Sequence, residues 1–171
     1  MSQTSTILGL DPGSRRAGFA WVRFDGSRVV GLEVGAWTVG AQRDRARALS
    51  RLMESVEQWL SDHPADVAAV EGLFHHRNVR SALVLAESRG VLLAALGRHG
   101  VPVVEYSPAA IKKTICGSGK AAKEQVRRAL ALTVSGLTSL ETDGLPWDAT
   151  DALAAAVCHH THASFQRRAV R

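Results

Sequence analysis

Apolar positions fall first into short continuous runs and later into helical stripes. Residues 5–10 (Ser-Thr-Ile-Leu-Gly-Leu) read as a strand that ends at Asp11 and is closed by Pro12-Gly13. A second run, 18–24, leads into Asp25-Gly26, a pair that favours a tight hairpin, and 29–39 supplies a third strand. The chain therefore opens as a three-stranded antiparallel meander. Over 43–60 the period changes. Leu49, Leu52, Met53, Val56 and Leu60 recur three and four apart, which predicts a helix with one buried stripe. Residues 67–70 are continuously apolar and end at Glu71, the pattern of a strand covered on both faces. A polar, aromatic loop follows at 74–78, then a helix over 81–96 closed by Gly97 and Gly100, and a fifth strand over 101–106. A short helix at 108–115, a flexible Gly117-Ser118-Gly119 loop and a helix at 121–132 come next. Residues 134–146 read as a linker-like loop, and 148–162 as the last helix, with a basic tail carrying Arg167, Arg168 and Arg171.

The order β-β-β-α-β-α-β-α-α-α predicts an α/β fold. Its sheet is mixed and five-stranded, with helices on both faces and with strands one, four and five as parallel neighbours. The ends of strands one and four then lie side by side, which brings Asp11 to Glu71 across sixty residues of sequence. One domain is expected over 1–163, with 164–171 a short basic tail.

A length of 171 residues with 46% hydrophobic content suits a packed domain and excludes a disordered chain. No apolar stretch is long enough to span a bilayer, and residues 1–5 carry no basic or apolar leader, so a soluble cytoplasmic protein without a membrane partner is expected. Two cysteines, Cys116 and Cys158, are too few for a disulfide framework and read as reduced thiols. The net charge of +5 and pI near 9.9 favour polyanionic partners such as nucleic acid. That bias becomes informative if a group of acids sits inside the basic frame.

Four acids meet this condition. Asp11 before Pro12-Gly13 reads equally well as a turn former. Glu71 at the end of an apolar strand is either solvated at the sheet edge or held at a site. Asp148 and Asp151 open the last helix, about 60° apart on one face. Caps and the helix dipole account for acids there too. Yet the pair flanks the apolar stripe of Ala149, Ala152, Leu153, Ala156 and Val157, and can point along the sheet toward Asp11. Four carboxylates at one sheet edge repel one another, and hard divalent cations resolve the repulsion.

Leu8-Gly9-Leu10-Asp11-Pro12-Gly13-Ser14-Arg15 with Gly18, Val70-Glu71-Gly72-Leu73-Phe74, Ser88-Arg89-Gly90-Val91 and Asp148-Ala149-Thr150-Asp151-Ala152-Leu153-Ala154 resemble the motifs of the RuvC family of Holliday-junction resolvases. The resemblance spans residues 7 to about 160. It implies a ribonuclease-H-like fold, a homodimer, and two Mg²⁺ ions per active site, with Mn²⁺ as a substitute. The catalytic and metal-binding acids would be Asp11, Glu71, Asp148 and Asp151. The implied activity is symmetric paired nicking of a four-way DNA junction at a short T-containing sequence, leaving ligatable ends for recombination and repair. The implied partner is a branch-migration motor complex of the RuvA and RuvB families. Gly72 stands where the family carries a larger residue, and the 134–146 loop is long for it.

Around the acids, Phe74 can stack on an unpaired base, as the family's aromatic does near the junction centre. Arg77, Arg80, Lys112, Lys113, Lys120 and Lys123 are candidate phosphate contacts, with Lys112 and Lys123 matching basic positions of the family. Taken singly, such lysines read as solvated helix faces. So do Arg43, Arg45 and Arg47. His159, His160 and His162 lack an acid or cysteine to complete a metal site and read as a surface helix end. Two alternatives use the same acids differently: a related nuclease acting on structured RNA, and a junction-binding module without catalysis. An actin-like ATPase or sugar kinase, which opens on a similar Asp-x-Gly, needs two related domains that 171 residues do not supply.

Overall fold

The computed structural model describes residues 4–40, 42–72, 79–137 and 144–169. Strands β1 (Thr4–Asp11), β2 (Arg16–Asp25) and β3 (Arg28–Thr38) form the expected meander. The hairpin turns at residues 26–27, one place later than Asp25-Gly26 suggested, because Asp25 already pairs with Arg28. After a short 3₁₀ turn come helix α1 (Arg45–Asp62), β4 (Val67–Glu71), α2 (Val79–Arg98) and β5 (Val103–Tyr106). Helices α3 (Pro108–Cys116), α4 (Lys123–Thr133) and α5 (Trp147–Ala169) complete the chain.

The sheet order is β3-β2-β1-β4-β5. β1 pairs antiparallel with β2 and parallel with β4, and β4 pairs parallel with β5. Alternation along the strands builds two cores. Leu8, Leu10, Ala68 and Val70 face α1 and α2 through Leu52, Val56 and Leu92. Ile7, Ala20, Val22, Phe24 and Ala69 face α5, α3 and α4 through Leu153, Ile111 and Leu130. Each buried Leu or Phe of this kind stabilises the fold by about 1.5–3 kcal/mol through apolar area removed from water.

Three features of the second half add to or differ from what the apolar pattern predicts. Helix α5 is covered from both sides. Ala154, Ala155 and Cys158 are buried along with Ala152, Leu153 and Ala156, so no polar face remains at its centre. The helix also continues past His162 to Ala169, so residues 164–169 are helical. The segment after α4 is more than a linker, since Val134 and Leu137 are buried. There the Val29 N–H donates to the Ser135 carbonyl at 2.7 Å. Among the described residues no helix is long and apolar enough to cross a membrane.

Candidate active site

Two strands and one helix carry the four acids to the carboxyl edge of the sheet. β1 ends in Asp11 and β4 in Glu71, and the register Leu10↔Val70 sets those ends next to each other. Helix α5 crosses the same face closely enough to touch strand backbone. A Cβ on Gly9 would lie 1.9 Å from the Ala152 carbonyl oxygen, and one on Gly18 would lie 2.1 Å from that of Asp148. Gly18 is the register partner of Asp11 across the β1–β2 pair. These two glycines therefore allow the start of α5 to sit directly over the end of β1.

Asp11, Glu71 and Asp151 line one cleft of about 220 Å³ together with Lys112 and Lys123. Asp148 stands at its rim, with its Oδ2 3.6 Å from the Arg16 Nε. The Lys123 ammonium meets Asp151 Oδ2 at 2.5 Å. Burial raises the Asp11 carboxyl from 3.8 to about 8, with repulsion from Glu71, Asp151 and, least, Asp148 adding to it, and the Lys123 charge partly opposing it. Burial also raises Glu71, with the Asp151 charge adding and Lys123 and Lys112 opposing. Lys123 is pulled down by burial but raised on balance by its bond to Asp151 and by the charges of Asp151, Asp11 and Glu71.

Among the described residues no three His, Cys, Asp or Glu side chains are drawn together as a finished metal cage. The positive charges in the cleft are those of Lys112 and Lys123, the second paired with Asp151. An all-oxygen donor set that raises its own proton affinity and recruits a cation fits hard divalent ions.

The family model for crossover junction endodeoxyribonuclease RuvC matches residues 7–159. The chain belongs to the RuvC family. It is 39% identical over 161 residues to the crossover junction endodeoxyribonuclease RuvC of Chloroflexus aggregans, covering 94% of this chain and 96% of that one. It is 35% identical over 153 residues to the Syntrophomonas wolfei protein of the same name, covering 90% and 87%. Thermus thermophilus RuvC in complex with a Holliday junction substrate superposes with a TM-score of 0.81 at 28% identity, covering 95% of this chain and 96% of that one. The yeast mitochondrial Holliday junction resolvase Ydc2, 14% identical, shares the fold with a TM-score of 0.70. The mixed sheet is thus the ribonuclease-H-like sheet of the RuvC family.

Within this RuvC-family chain the remaining candidates separate. Lys112 and Lys123 line the acid cleft, whereas Lys120 lines a different groove between α3 and α4, and Lys113 is exposed outside both. Phe74 and Arg77 lie outside the described residues, as does the Arg80 side chain. Arg45, read as a solvated arginine, instead pins α1 to α2. Its Nε meets Glu87 at 2.6 Å and its Nη2 donates to the Val84 carbonyl at 2.9 Å. The histidines are engaged locally. His159 Nδ1 lies 2.9 Å from the Tyr106 hydroxyl, and His162 Nε2 3.1 Å from Thr114 Oγ1. His160 is buried and stacks on Phe24 with ring centroids 3.8 Å apart, which places it in the core and away from any surface helix end.

Sequence reasoning passed over Arg16 and the part that Ser88 plays. The buried Ser88 hydroxyl is shared between the Gly13 carbonyl and the Leu85 carbonyl of its own helix, each 2.9 Å away, and the first contact ties α2 to the turn that follows Asp11. A serine amid the apolar residues of a helix was the available signal, because a buried hydroxyl needs a partner.

Proposed function

We propose that this protein resolves Holliday junctions by metal-dependent, symmetric paired nicking during DNA recombination and repair. The observation that carries the reading is the meeting of Asp11, Glu71 and Asp151 in one cleft with Lys112 and Lys123. These three acids, with Asp148 from the rim, are the groups suited to hold two divalent ions, Mg²⁺ first and Mn²⁺ in its place. When bound, such ions supply an activated water for in-line attack on the scissile phosphate and stabilise the departing 3′ oxygen. Lys112 and Lys123 attract and orient the phosphate. Lys123 also holds Asp151 in place before metal arrives. Phe74, Arg77, Arg80, Lys113 and Lys120 are assigned to the flanking DNA.

Two coordinated cuts require two such clefts related by a two-fold axis, so the working unit is a homodimer. Val79 and Leu83, exposed one turn apart at the start of α2, offer an apolar surface suited to that pairing. The protein acts in the cytoplasm with a branch-migration motor of the RuvA and RuvB families.

The test uses a labelled synthetic four-way junction, a matched duplex and a structured RNA, each with Mg²⁺ and with EDTA. Symmetric nicks in the junction alone, lost in EDTA, are expected. Asp11→Asn should bind the junction and leave it uncut. Full cleavage by that variant, or preferential cleavage of the RNA, overturns the assignment.

A further inference from the structure

The close approach at Gly9 and Gly18 seats the backbone of α5 on the strands at Ala152 and Asp148, but it does not reach the residues that lead into the helix or the side of its first turn that faces α4. Fraying of the first turn would carry Asp151, which stands at its end, away from the cleft. Something must hold that turn, and the contacts of α4 show what does.

Arg127 lies one turn beyond Lys123 on the same face of α4. Its Nη2 donates to the Leu145 carbonyl at 2.7 Å and to Thr150 Oγ1 at 3.3 Å. Its guanidinium carbon sits 3.7 Å from the centroid of the Trp147 ring. The Thr150 hydroxyl passes the interaction on by donating to the Pro146 carbonyl at 3.1 Å. Thr150 is 1% exposed, so the inner end of this chain of donors is buried, while Arg127 is half-buried and Trp147 exposed. The residues gripped are those just before Asp148 and the one just before Asp151. A planar guanidinium can lie against a ring while donating at its edge to two oxygens, a geometry that lysine's compact ammonium does not reproduce.

We propose that Arg127 is a positioning residue for the metal site. It latches the first turn of α5 so that Asp151 faces the cleft and Asp148 its rim. Lys123 and Arg127 thus divide the work along one face of α4, the first holding a carboxylate and the second holding the backbone that carries it. The inference rests on the metal-nuclease reading above.

The test measures Mn²⁺ binding to the full chain without DNA by titration calorimetry, for wild type, Arg127→Met and Arg127→Lys. Junction affinity in EDTA, melting temperature in EDTA and the Mg²⁺ concentration for half-maximal nicking are measured beside it. Removing an outer partner of metal ligands weakens metal binding by about tenfold or more. Both variants should show that loss, should need correspondingly more Mg²⁺ and should recover nicking when it is supplied. Their junction affinity in EDTA should stay within about twofold of wild type, since the arginine holds protein and not DNA. If Arg127→Met does not fold, Arg127→Lys carries the comparison. Unchanged Mn²⁺ affinity, even with a lowered melting temperature, overturns the inference and leaves Arg127 a strut. A matching loss of junction affinity in EDTA overturns it in favour of a DNA contact. A wild-type chain that takes up no Mn²⁺ overturns the metal reading itself, and this inference with it.

Discussion

Replacing Asp11 by Asn in the metal-free protein should change stability in a way that depends on pH. Burial, reinforced by Glu71 and Asp151, raises the Asp11 carboxyl from 3.8 to about 8. A folded-state value above the unfolded one means that the folded protein binds this proton more tightly. The stabilising contribution is full below the unfolded value and is lost as pH rises through the folded one. Over that window the wild type loses up to about 1.36 kcal/mol per pH unit from this group, and the Asn variant loses none. Between about pH 5.5 and about pH 7.5 the variant should therefore gain up to about 2.7 kcal/mol on the wild type. In a chain of this size that is about 5–10 °C in melting temperature. The assay is urea or thermal unfolding of both proteins in EDTA at the two pH values, repeated with Mg²⁺. Metal binds the folded, ionised site, so Mg²⁺ should stabilise the wild type and leave the variant nearly unmoved. A stability gap between the two proteins that is the same at both pH values refutes the reasoning.

Gly18→Ala would place a Cβ 2.1 Å from the Asp148 carbonyl oxygen, so α5 must withdraw from β2. Unfolding measurements should show a loss of at least about 2 kcal/mol, and nicking should fall with it. Lys123→Met removes the cation that lowers both Asp11 and Glu71. Since metal needs the ionised acids, the acid limb of the nicking pH profile should move to higher pH, and an unmoved limb would contradict the assigned electrostatics.

Much of this arrangement is legible in the chain. The switch from short continuous apolar runs to a spacing of three and four marks the meander and the helices, and the rules for connections make β1, β4 and β5 neighbours. That topology alone sets Asp11 beside Glu71. The three-residue spacing of Asp148 and Asp151 on one helix was equally readable. What was not legible shares a cause. The sequence marks one apolar stripe on α5, whereas the burial of its other side depends on α3 and α4 packing over it. Arg45 looks like a solvated cation because the sequence does not show that Glu87 and the Val84 carbonyl stand opposite it. The spacing of Asp148 and Asp151 does not show how they divide: Asp151 lines the cleft and Asp148 pairs with Arg16 beside it.

The sequence by itself determined which residues are acids, which strands run parallel and where each element begins to bury its apolar side, because periodicity and connection rules act over a few residues at a time. How closely α5 approaches the sheet at Gly9 and Gly18, which way its first turn faces, and which carboxylates share one cleft were decided only by the tertiary structure. Those properties belong to two surfaces in contact. Neither surface records them alone.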